Sequence, residues 1–135
     1  MNRTVRNIIA IIGGIVAMYA ANMGTILISG AIIPPPEGVD LTTPEGIQAA
    51  MSIMEPKHFI MPFLAHALGS FFGALVVASV AATHKLTFAI TIGGLHLVGG
   101  IAMVAMVGGP MWFILLDLIV AYIPMALIGY RFAKK

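Results

Sequence analysis

Asp117 is the only formal charge between Lys85 and Arg131, in a stretch so apolar that it must lie in lipid and fold back once. A charged side chain at mid-bilayer costs from about 3 kcal/mol on insertion scales to roughly 10 or more in simulations, so such a carboxylate faces a partner or water. His66, His96 and Asn22 are further polar groups in the apolar segments. Imidazole titrates near neutral pH and a carboxylate beside it keeps its charge. The set can therefore take up and release a proton in response to an ion. A structural role competes: one Asp–His hydrogen bond, with Asn22 bonding across helices, would fix helix register for about 1 kcal/mol per bond. Two histidines and a carboxylate in lipid are more than register requires.

Metal chemistry is an alternative use of the same groups. His66, His96 and Asp117 form a two-histidine, one-carboxylate set suited to zinc, iron or manganese if all three converge. A second pattern, Met51-x2-Met54-x3-His58-x2-Met61-x4-His66, runs from a loop into a span, with Met103, Met106 and Met111 near the same membrane face. Thioether with imidazole suits Cu(I), although methionine is also an adaptable apolar filler. Haem held by His66 and His96 ranks below copper or zinc. Soluble-enzyme signatures are missing: there is no Gly-x-Ser-x-Gly, His-Glu-x-x-His, phosphate loop or dinucleotide fingerprint. Nothing in the sequence places a base beside Ser70 or Ser79. With no cysteine, disulfides and thiolate metal sites are excluded.

The elements that must position these groups are membrane helices. The chain of 135 residues is 60% hydrophobic and 9% charged, with mean hydropathy +1.04, whereas soluble domains run to about 25% charged. Its surface is completed by the lipid bilayer or by other protein, as a homo-oligomer or within a larger membrane complex. The basic residues sit at helix ends, where they set topology, and binding of nucleic acid is not expected.

Four apolar segments, about 8–33, 59–82, 86–107 and 111–130, each approach the roughly 20 residues needed to span hydrocarbon. Gly108-Gly109-Pro110 makes the last two a tight hairpin, Thr83-His84-Lys85 is a similarly short link, and the only long connection is 34–58. Arg3, Arg6, Lys85, Arg131, Lys134 and Lys135 fall on one side and Lys57 alone on the other. The positive-inside rule then puts both termini in the cytoplasm, of a bacterial inner membrane by this reading, and the long loop outside. A secretory signal ending near Ser29-Gly30-Ala31 competes for the first segment, but its apolar run is too long. In the outer loop, Pro34-Pro35-Pro36 stops the first span. Thr42-Thr43-Pro44-Glu45 predicts a short amphipathic helix, with a capping box between Thr42 and Glu45. It serves as a lid over a cavity or as plain cover for the bundle, the second being preferred.

Small residues mark where helices meet, because close backbone approach replaces the hydrophobic force in lipid. Each span has such a side: Gly13, Gly14, Ala17 and Ala21; Ala65, Gly69 and Gly73; Gly93, Gly94, Gly99 and Gly100; Ala121 and Gly129. At about 1.5 Å per residue, His66 lies about 10 Å and Asp117 about 9 Å below the outer end, with Asn22 and His96 near 16 Å. Turning the small-residue sides inward gathers Asn22, His66, His96 and Asp117 around one cavity, with Tyr19 and Tyr122 as further members. The expectation is an all-α, four-helix membrane bundle that binds or moves a small cation, linked to protons. A non-catalytic accessory subunit or assembly factor is the alternative, and a membrane-embedded metal- or haem-dependent enzyme comes third.

Overall fold

The computed structural model describes residues 1–134, so Lys135, counted above for topology, lies outside the described residues. The chain is all-helical, with four helical stretches long and apolar enough to cross a membrane. Helix α1 (Arg3–Ile32) begins before its apolar run because Asn2 Oδ1 accepts the Thr4 N–H at 2.9 Å and caps it. A short α2 (Pro44–Ala50) and a 3₁₀ turn (Pro56–Phe59) lead into α3 (Ile60–Val80), followed by α4 (Lys85–Val107). The fourth stretch is divided into α5 (Met111–Val120) and α6 (Ile123–Ala133).

That division falls inside the span expected over 111–130, which remains one membrane-length stretch, Met111–Ala133. Pro124 has no N–H for the carbonyl of Val120, and Tyr122 leaves helical geometry at φ −106°, ψ −82°. The ladder closes on either side, with Ala121 N–H to Asp117 C=O and Ala126 N–H to Tyr122 C=O. A broken helix at membrane depth is tolerated where it is buried in protein or lines a cavity.

Helix α3 is the hub, packed on α1, α4 and α6. In its apolar window 44% of residues are buried, against 17–22% in the other three spans. The crossings run through glycine: a side chain at Gly14 would meet Val77 and the Gly73 carbonyl, one at Gly93 would meet Ala126, and one at Gly129 would strike the Phe71 backbone. Between them lies an apolar core of Ala10, Met18, Ala74, Val77, Ala89, Ile92 and Ala126. At the termini end, Asn7 Oδ1 accepts the Ala82 N–H at 2.9 Å, Asn7 Nδ2 donates to Thr83 Oγ1 at 2.8 Å, and Arg6 Nε donates to the Val80 carbonyl at 2.6 Å. These bonds tie α1 to the α3–α4 turn.

At the opposite end, Gly108 and Gly109 take φ +73° and +146°, conformations that side chains resist, and so turn the chain sharply into α5. The loop helix forms, but its cap is Thr43 rather than Thr42: Thr43 Oγ1 accepts the Gly46 N–H at 3.1 Å. Thr42 instead donates its N–H and O–H to Asp40, at 2.8 and 2.5 Å. Those two bonds hold the Asp40 carboxyl below its ordinary value of 3.8.

Candidate functional site

One turn of α3 separates His66 from Ser70, one turn of α4 separates His96 from Gly100, and the α5–α6 break sets Asp117 beside Tyr122. Asp117 is 3% exposed and is the only buried residue of α5. The carboxylate of an otherwise apolar helix is thus held inside the protein. His66 Nδ1 donates to both of its oxygens, at 2.8 and 2.9 Å, and Tyr122 O–H donates to Oδ2 at 3.0 Å. Two donors suit an ionised acceptor. They also fix the neutral His66 tautomer, with the proton on Nδ1 and a lone pair on Nε2. Nε2 has no hydrogen-bond partner among the described residues.

The rings hold one another in place. Tyr122 stacks on His66 at 5.3 Å, and His96 stands edge-on to both, at 5.9 Å from His66 and 5.1 Å from Tyr122. Tyr122 is fully buried, and a side chain at Gly100 would collide with its hydroxyl. Ser70 Oγ and His96 Nδ1 share a hydrogen bond of 2.9 Å. No spacing along the chain places this base beside Ser70. Since Ser70 is fully buried and the carboxylate serves the other histidine, the two pairs do not form a nucleophilic triad.

A cavity of about 610 Å³ opens from this network toward the loop end. His66, Asp117, Gly100 and Asn22 line its deep part. Met51 and Met54 line its loop side, with Leu41 and Ile47. His58, Met61, Met23 and Met103 are also on its walls, while Met106 and Met111 face outward, 54% and 66% exposed. Ile47 of α2 thus lies on the cavity wall, a position that both readings of the loop helix, lid or plain cover, allow. Asn22 Oδ1 is buried without a partner, and its amide reaches only the Met23 sulfur, at 3.9 Å. Tyr19 does not join the set: it is 60% exposed on the outer side of α1.

Comparison with family models, curated proteins and solved structures finds no match for this chain. The chemistry must be read from the geometry.

Among the described residues no group of three or more His, Cys, Asp or Glu side chains is placed to hold a metal ion. Both His66 Nδ1 and the carboxylate are engaged with each other, and His96 Nδ1 with Ser70. His58 Nδ1 accepts the Glu55 N–H at 2.8 Å, so its lone pair is taken as well. The nitrogen left for a ligand by the Asp117–His66 pair is Nε2 of His66. Sequence reasoning gave Tyr122 no bond to Asp117; the signal was Pro124, which breaks the helix where the tyrosine can turn back to the carboxylate.

Proposed function

We propose that the protein exchanges a small cation for a proton at the Asp117–His66 pair. The observation that carries this reading is the buried Asp117 carboxylate, whose only ion-pair partner among the described residues is His66. An unbalanced charge at this depth is costly. When His66 is protonated, the pair is neutral; when it is not, the site carries one negative charge beside the cavity. A cation then balances what the proton balanced before, and the two compete for one place. Tyr122 holds the carboxylate and Gly100 makes room for Tyr122, so the acceptor keeps its geometry as the charge changes hands.

The excess of Lys and Arg at the termini end favours cytoplasmic termini, with the cavity opening outward across a bacterial inner membrane. The exposed apolar side of α1, including Ile8, Ile12 and Val16, is assigned to lipid or to further copies in a homo-oligomer. The test is flux in proteoliposomes against monovalent and divalent cations under a proton gradient. Asp117→Asn keeps size and hydrogen bonding and should lower the rate at least tenfold, about 1.4 kcal/mol in the limiting step. Unchanged flux in a folded Asp117→Asn protein would leave the pair a register-setting contact only.

A further inference from the structure

The cavity's shape and lining narrow the cation. Its volume of about 610 Å³ falls within the range of about 300–1,000 Å³ typical of small-molecule sites. Its walls are chiefly apolar, with Met23, Met51, Met54, Met61, Met103 and Phe59 among them. An inorganic ion stripped of water would find few oxygens here. Methionine, by contrast, repacks around apolar bodies of different shape. Two lining residues carry an acceptor with no hydrogen-bond partner among the described residues: Asn22, whose Oδ1 is buried with no donor, and His66, whose Nε2 has Asp117 behind it. Two unfilled acceptors beside a negative charge call for a cation that carries N–H donors.

We infer that the site takes a hydrophobic primary or secondary ammonium ion, its nitrogen shared by Asn22 and His66 and its apolar body held among the methionines. This rests on the exchange reading above and names the substrate class for it. The ammonium supplies the donor that Asn22 lacks and the charge that the proton otherwise provides. Protonation of His66 removes both the lone pair and the net charge, so proton and amine exclude each other.

The full chain, purified in detergent, carries its own reporter, because Trp112 is the only tryptophan and stands edge-on to Phe59 at 5.5 Å. 1-Adamantylamine should change Trp112 fluorescence saturably and bind at least tenfold more tightly than the neutral 1-adamantanol at mildly alkaline pH. The preference should fall as the pH is lowered in the unaltered protein, and should collapse at the higher pH in Asn22→Ala. Equal affinity of amine and alcohol at the higher pH would overturn the inference. So would Ag(I) saturating the signal through Met51 and Met54, abolished in Met51→Leu/Met54→Leu, with no amine preference. If an inorganic cation still moves in an Asp117-dependent way while the amine shows no preference, the substrate class is wrong and the exchange reading stands. If neither occurs, both fall.

Discussion

The two ends of the bundle share one apolar composition and use it differently. Toward the termini, α1, α3, α4 and α6 close on each other through Gly14, Gly73, Gly93 and Gly129, and polar groups there tie the helix ends together. Toward the loop, α5 is set off from α6 by a proline break, and its one buried residue is Asp117. The first arrangement maximises contact, as expected of helices held by packing rather than by the hydrophobic effect. The second leaves space around polar groups that packing alone would have excluded. The termini end is the packed one, and the loop end holds the cavity and the polar network.

Substitutions should separate the two ends. The largest effect is expected of Gly129→Leu, since the side chain meets the Phe71 backbone, which cannot move aside. The loss should exceed the 1–3 kcal/mol usual for overpacking, and little folded protein should be recovered. Gly94→Leu, where no atom lies within 4 Å, should stay within about 0.5 kcal/mol of the parent by thermal melting. Equal tolerance of both changes would dissolve the contrast.

Tyr122→Phe comes next. It keeps the ring stack on His66 but removes the O–H bond to Asp117, at 3.0 Å. A hydrogen bond to a charged group contributes about 1.5–3 kcal/mol, so exchange flux should fall about tenfold or more. Asn7→Ala is the matching change at the termini end: it should cost about 1–2 kcal/mol in stability and leave flux unaltered. A flux defect in Asn7→Ala would mean that the ends are coupled.

The smallest effect concerns the loop. Because Thr42 holds the Asp40 carboxyl below 3.8, the contact is intact above that pH and lost as pH falls through the lower folded value. Hydrogen exchange at the Thr42 amide, corrected for its intrinsic rate, should quicken as the pH falls through that lowered value.

Four membrane-length helices can be read from hydropathy, and a histidine partner for Asp117 from the cost of a charge in lipid; that the partner is His66 and not His96 is set by the fold. Neither signal depends on side-chain rotamers. What escaped was set by backbone detail. Hydropathy does not register Pro124, whose missing donor opens the turn that brings Tyr122 to the carboxylate. Thr42 and Thr43 are chemically equivalent as caps, and the choice between them came from Asp40, which engages Thr42. Tyr19 was assigned inward by composition, yet on α1 the inward positions are Gly14, Met18 and Thr25, with the ring at Tyr19 left outside. Ser70 met His96 only through the α3–α4 crossing, which no spacing within one helix reveals.

The central claim is that one negative charge is balanced by a proton or by a cation in turn. Its most direct test is the number of protons released per cation bound, measured with a pH indicator in weakly buffered detergent solution across a window of starting pH values on either side of neutrality. The protein is titrated with 1-adamantylamine and with each inorganic cation in the flux panel. Binding by the unaltered protein should release up to about one proton per cation, rising as the starting pH is lowered, and Asp117→Asn should release none. Cation binding with no proton release anywhere in that window would contradict the account.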